Sequence, residues 1–169
     1  EKGESKIALD AYKEREELPK ESALDFCVRM GWETYIYQML VVDYLILNRD
    51  RHGANIEVLR NSRKKTLHLA PLFDHGLSFL CRCINDSQVE AFDVMEDKLC
   101  NNFIGSRSTW ENLKLIPAEK RPALNPLRES DREIIMEGLD GIISGALQDK
   151  IWEMIWKRWC AYEDFCNSR

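Results

Sequence analysis

The chain has 169 residues, 44% of them apolar, which is enough for one hydrophobic core and too little for two comfortable domains. Its formal charge of -5 argues against nucleic acid as the main ligand, and no apolar run approaches the roughly 18 residues of a bilayer-spanning helix. The N-terminal "EKGESKIALD" lacks the apolar stretch of a secretory signal, so a cytoplasmic protein without a transmembrane segment is expected. Cysteines at 27, 81, 83, 100, 160 and 166 form no CxxC pair, and Cys81 and Cys83 stand too close for a usual zinc knuckle. Free thiols are the expectation.

Along the chain, Ile7, Ala8, Ala11 and Tyr12 recur at helical spacing and predict an amphipathic helix from Ser5 to about Glu17, stopped by Pro19. Ser22 with Asp25 three residues later approximates a capping box and opens a long apolar stretch, read as one or two buried helices with a break at Gly31. The loop "NRDRHGAN" at 48–55 follows. Ile56, Val58, Leu67 and Leu69 then alternate on either side of the basic segment "RNSRKKT" at 60–66, which predicts a hairpin ended by Pro71. The basic tip reads as a solvated turn or, alternatively, as a phosphate-binding patch.

Beyond the turn-rich "FDHGLSFLCRCINDSQ", short helices are expected in "SQVEAFDVMEDKLC" and "STWENLKLI", joined by the proline-bearing "IPAEKRPALNPL" to two further helical segments, "SDREIIMEGLDGIISGAL" and "DKIWEMIWKRWCAYEDFC". Ile151, Trp152, Ile155, Trp156 and Trp159 in the last segment form a face too large to leave wet. It belongs in the core or against a partner. The expected architecture is mainly α with one small β-hairpin, a single domain over 1–169. Leading helices occupy 1–47, two loops flanking the hairpin 48–80, and a helical subdomain 81–169.

The loop at 48–55 admits three readings. Asn48, Asp50 and His52 at positions one, three and five with Gly53 at six imitate a calcium loop, but position twelve is Leu59, where a bidentate glutamate is needed. A polar turn chosen for backbone geometry is the second. Phosphoryl transfer is the third: Asp50 orients or deprotonates an attacking hydroxyl, and Asn55, five residues on, turns its amide oxygen toward a Mg²⁺ ion bridging ATP phosphates. The second metal carboxylate is available at Asp74 in "LAPLFDHGLSF", which the hairpin can fold back beside Asn55. Mg²⁺ takes few protein oxygens and several from phosphate or water, which suits this sparse set.

The pairing of "NRDRHGAN" with "LAPLFDHG" resembles the catalytic and metal-binding loops of HipA-like serine/threonine kinases, in which a D-x-H-x-x-N loop precedes a hairpin and an L-x-P-x-[YF]-D segment. "DRHGANI" also resembles the D-R-H-x-x-N loop of phosphoinositide 3- and 4-kinases. The match covers roughly 35 residues in detail. The resemblance implies ATP and Mg²⁺ as cofactors, Asp50 as the catalytic aspartate, and Asn55 and Asp74 as metal ligands. His52 would contact phosphate or brace the loop, and His75 stands where ordinary kinases have the phenylalanine of DFG. Arg51 lies at a position that varies among HipA-like loops. Outside the resemblance, His68 on the second hairpin strand reads as a surface or packing residue, and Asp43 as a salt-bridge partner of Arg49 or Arg51.

The chain contains no G-x-G-x-x-G, no G-x-x-x-x-G-K-[ST], and no strand-rich segment before Ser22 to form a nucleotide-clamping lobe. With a start at Glu1 rather than Met, this predicts the C-terminal (large) lobe of a kinase-like protein or a stand-alone remnant, its N-terminal lobe absent. The isolated chain is then expected to bind ATP weakly and to be inactive. In the complete enzyme, whose clamp comes from the missing lobe or a partner protein, the substrate is a protein with a serine or threonine hydroxyl. Two rivals remain: a phosphoinositide or other small-alcohol kinase with "RNSRKKT" as a headgroup patch, and a non-catalytic kinase-like interaction module docking through the tryptophan-bearing helix.

Overall fold

Residues 3–168 are described by the computed structural model, and the first element among them departs from the helix expected there. Strand β1 (Glu4–Ala8) pairs antiparallel with β3 (Glu57–Asn61), Ile7 opposite Val58, and α1 (Leu9–Glu16) begins only afterwards. The Leu9 N–H donates to the Ile56 carbonyl at 2.8 Å where strand turns into helix. Pairing along the open edge of β3 overrides the local 3.6-residue spacing of Ile7, Ala8, Ala11 and Tyr12, because an unpaired edge would leave backbone groups without partners.

The predicted hairpin is present as β3 and β4 (Thr66–Leu69), with Val58 opposite Leu69 and Asn61 opposite Thr66. The sheet order is β1-β3-β4. A second sheet consists of two short parallel strands, β2 (Asp50–Arg51) and β5 (Asn101–Asn102). The architecture is therefore mixed α/β, a correction to the expectation of one hairpin among helices. Neither β2 nor β5 carries a periodic pattern long enough to read.

Ser22 caps α2 (Ala23–Arg29), its Oγ accepting the Asp25 N–H at 3.1 Å. Gly31, at φ +77°, separates α2 from α3 (Glu33–Leu45), a left-handed conformation that favours glycine. Helix α3 is the axis of the core: Ile36, Met39, Leu40 and Val41 are all buried on it. Each such side chain contributes about 1.5–3 kcal/mol of burial free energy. At one end Tyr12, Phe26 and Trp32 meet with ring centroids 6.1 Å apart. At the other, Tyr44 of α3 packs on Trp110 at 5.6 Å and Trp110 on Phe165 at 5.5 Å, joining α3 to α5 (Thr109–Leu113) and α7 (Gly145–Asn167).

On helix α7 the tryptophans lie outside the core, the first of the two places expected for them, the second being against a partner. The buried residues of α7 are Met154, Arg158 and Tyr162, whereas Trp152, Trp156 and Trp159 are half-buried and stack on one another with centroids 5.7 and 6.2 Å apart. Burial of Arg158 explains the difference: its guanidinium donates to the carbonyls of Val94, Tyr44 and Glu96 at 2.7–3.0 Å, capping the end of α3. Short helices α4 (Asp86–Glu90) and α5 begin on the side-chain caps Asn85 and Ser108. Segment 130–147 is less helical than its spacing predicts. Helix α6 (Asp131–Ile135) stops after five residues, and Gly138 and Gly141, at φ +78° and +75°, turn the chain before α7. Among the described residues no helix is long and apolar enough to cross a membrane.

The cysteines are six separate thiols, and burial pushes Cys27 up to about 12 and Cys100 up to about 11. Since the thiolate is the reactive form, iodoacetamide at pH 8 is expected to label exposed Cys81 while sparing Cys27 and Cys100 until urea is added. Peptide mass spectrometry reads the result. Native-state labelling of Cys27 at the rate of Cys81 would contradict the packing of α2.

Candidate active site

The site is built on the last turn of α3. Beyond that helix, Leu47 at φ +51° reverses the chain, and the Asn48 N–H returns to the Asp43 carbonyl at 2.8 Å. The Asn48 side chain then works in both directions: its Nδ2 donates to Asp43 Oδ1 at 2.9 Å and its Oδ1 accepts the Asp50 N–H at 3.2 Å. Asp50 and Arg51 follow as the two residues of β2. Successive strand side chains point to opposite faces, so one goes out and the other in.

Arg51 is the inward one, with its side chain 0% exposed. Its Nε and Nη2 donate to the two oxygens of Asp43 at 3.0 and 2.9 Å, a bidentate, charge-assisted pair. Its Nη1 donates to the Asn55 carbonyl at 3.0 Å and the Phe73 carbonyl at 2.9 Å, and its Nη2 lies 3.3 Å from His75 Nδ1. One guanidinium thus joins α3, the loop ending at Asn55, and the segment that delivers Asp74. Of the two partners expected for Asp43, Arg51 is the one found.

Asp50 is the outward residue, 32% exposed. Its Oδ1 accepts from Asn101 Nδ2 at 3.3 Å, and β5 is fixed beside it by Asn101 N–H to the Arg49 carbonyl (2.8 Å) and Phe103 N–H to the Arg51 carbonyl (2.9 Å). His52 is 40% exposed, and its Nε2 lies 3.9 Å from Asp50 Oδ2, outside hydrogen-bonding range. Its ring does not brace the loop. Its backbone carbonyl does, accepting the Asn55 N–H at 2.9 Å to close the tight turn Gly53–Asn55. Asn55 is buried, and its Nδ2 donates to the Asp50 carbonyl at 2.9 Å, which leaves the amide oxygen as the group to meet a cation. Gly53 admits α1: a Cβ there would stand 2.5 Å from the Cβ of Asp10.

Asp74 is exposed and left-handed at φ +54°, a conformation aspartate tolerates better than most residues. The chain is pinned on both sides of it. Tyr35 Oη donates to the Ala70 carbonyl at 2.6 Å and Arg51 holds Phe73 before it; after it, Arg49 N–H reaches the Leu77 carbonyl at 3.1 Å and Phe79 N–H the Ile46 carbonyl at 2.7 Å. His68 is exposed on β4, opposite Leu59 and away from these loops. Asp50, His52 and Asn55 therefore share one loop, and Arg51 ties the segment of Asp74 to it. In the sequence Asn48 stands out only as position one of the calcium-loop pattern, and Asn101 does not stand out; "CNNFIG" has no motif or period that marks it, and only the β2–β5 pairing brings Asn101 to Asp50.

The two donors these loops offer, an amide oxygen and a carboxylate, are hard oxygens of the kind Mg²⁺ takes alongside phosphate and water. Among the described residues no three histidine, cysteine, aspartate or glutamate side chains gather into an all-protein metal cage.

The fold is kinase-like. It is similar to the crystal structure of a Helicobacter pylori proinflammatory kinase, CtkA, with a TM-score of 0.60 and 15% sequence identity over 92% of this chain and 67% of that one. No protein-family model matches the sequence, and no curated protein matches it.

Removing one partner of a buried ion pair strands the other charge. Asp43→Ala is expected to cost about 3–5 kcal/mol in urea unfolding, and the apolar pair Asp43→Leu with Arg51→Met less, because it strands no charge and only leaves the Asn55 and Phe73 carbonyls without that donor. Equal losses in the single and double variants would show that the pair itself, and not a stranded charge, sets the cost.

Proposed function

We propose that the chain carries the catalytic and metal-binding loops of an ATP-dependent phosphotransferase, a HipA-like serine/threonine protein kinase, and corresponds to its large lobe. The observation that carries this reading is the double grip of Arg51 on the Asn55 and Phe73 carbonyls, which joins two loops that each resemble one half of a kinase centre. A polar surface turn needs no such tie to a segment some twenty residues along the chain.

In this reading Asp50, held by Asn101 and half open to solvent, accepts the proton of the attacking serine or threonine hydroxyl and aligns it with the phosphate. Asn55 presents its amide oxygen and Asp74 its carboxylate as the protein ligands of the metal. Mg²⁺ bound with ATP supplies neutralisation of charge on the phosphate oxygens. His52, which makes no side-chain brace in the loop, is free to contact a phosphate oxygen. Arg51 touches none of the reacting groups and acts as a positioning residue. The 169 residues hold no glycine-rich phosphate loop, so the clamp on the nucleotide comes from a further segment or a partner protein, and this chain alone holds ATP weakly.

In the full-length protein, Asp50→Asn and Asp74→Asn are each expected to lower phosphate transfer from Mg-ATP to a serine-containing peptide by about 10²–10⁴-fold. Radiolabelled phosphate incorporation reads the rate, and circular dichroism checks folding. Undiminished transfer in either variant would remove the catalytic assignment.

A further inference from the structure

The far end of the hairpin carries a second feature, roughly 15 Å from Asn55 along a strand that rises about 3.3 Å per residue. A cavity of about 370 Å³ opens there between α1 and the hairpin tip, lined by Tyr12, Glu16, Arg60, Ser62, Lys65 and Thr66. Segment 60–66 holds four cations and no acid, in a chain of net charge -5. Some cations elsewhere in the molecule find carboxylates, as Lys6 does with Glu57 at 3.0 Å, Arg29 with Glu21 at 2.7 Å and Lys120 with Glu33 at 2.8 Å. Among the described residues, Arg60 and Lys65 have no carboxylate within 4.0 Å.

The tip is also ordered by its own bonds. Buried Asn61 accepts the Arg63 and Lys64 N–H groups on its Oδ1 at 3.1 and 3.0 Å, and Lys65 sits at φ +54°, which fixes where the turn presents its side chains. Burial, with Glu16 second, raises the Tyr12 pKa and keeps its hydroxyl a donor at neutral pH. An arginine, a lysine and three hydroxyls around one cavity form a set that matches the charge and the acceptors of a phosphate monoester.

We propose that this cavity binds a phosphate monoester, Arg60 and Lys65 neutralising the phosphate while Tyr12, Ser62 and Thr66 donate to its oxygens. The volume exceeds a bare phosphate and the remaining wall is mostly polar, with Glu16 and Asn61 beside the hydroxyls, so the ligand is a phosphorylated polyol, either free or as a lipid headgroup. Glu16 is the opposing charge in the wall, and it sets the sign of a control: its removal strengthens binding. The proposal stands apart from the phosphotransfer reading, because it uses none of the residues of that site.

The test is titration of the ¹⁵N-labelled chain with inositol 4-phosphate at constant ionic strength, with chloride as control. Amide shifts are expected at Tyr12 and across Ser62–Thr66. The Arg60→Ala, Lys65→Ala double variant, altered only at exposed positions, is expected to weaken binding at least about tenfold, and Glu16→Gln to tighten it about threefold. Shifts that chloride reproduces, or that survive the double variant undiminished, or that weaken in Glu16→Gln, overturn the site. Sedimentation with vesicles containing phosphatidylinositol 4-phosphate, against phosphatidylcholine alone, identifies the source. Pelleting that the double variant loses supports a headgroup, and no pelleting with the amide shifts intact supports a soluble ligand.

Discussion

A guanidinium shut away from water must find a partner for every polar edge, and Arg51 finds its partners on three segments at once. Asp43 supplies the charge from α3, the Asn55 carbonyl fixes the loop that contains Asp50, and the Phe73 carbonyl fixes the approach to Asp74. Desolvating an ion pair is costly, so the arrangement is a poor source of stability and a strong determinant of geometry. Its alternatives leave a buried charge or carbonyl unpaired, and the loops are thereby held to one relative position. The outward partner of the same two-residue strand, Asp50, inherits that position while remaining open to solvent.

The end of α3 is held from the other side by a second buried arginine. Arg158 of α7 donates to the carbonyl of Tyr44, one residue after Asp43, and also to Val94 and Glu96. The helical subdomain and the loops therefore meet through adjacent residues of one helical turn, with the Tyr44–Trp110–Phe165 aromatic contacts packed around it. A rigid base of this kind is what a chemical site needs, since misplacement of a reacting group by about 1 Å can cost two orders of magnitude in rate. Asp74, by contrast, is exposed and left-handed at φ +54°.

Much of this frame was legible in the sequence because its cues are local. Ser22 and Asp25 announce the start of α2, Gly31 its end, and the alternation around "RNSRKKT" the hairpin, though not its register. The order of the two loops, Asp50 to Asn55 and then Asp74 across a hairpin, was legible for the same reason. What was not legible depends on distant partners. Strand β1 exists because β3 has an edge to fill, 49 residues away even at the nearest pair, Ala8 with Glu57, and its own spacing looks helical. Arg51 and Arg158 look like surface residues in any window, since arginine is mostly exposed, and only their burial shows them to be the posts of the structure. The tryptophans of α7, large and apolar, look like core in the sequence, yet they stack on one another, half-buried, at the side of the helix while an arginine takes the centre.

Paramagnetic broadening by Mn²⁺ registers weak binding and so reveals whether Asn55 and Asp74 face one cation, as the proposed phosphotransfer centre requires. Titrating Mn²⁺ with ADP into the ¹⁵N-labelled chain is predicted to broaden the amides around Asn55 and Asp74 together, ahead of the rest of the spectrum, and Asp74→Ala is predicted to abolish both effects at the same Mn²⁺ concentration. Broadening confined to other acidic surface residues, or broadening at Asn55 that persists unchanged in Asp74→Ala, would exclude a shared cation site.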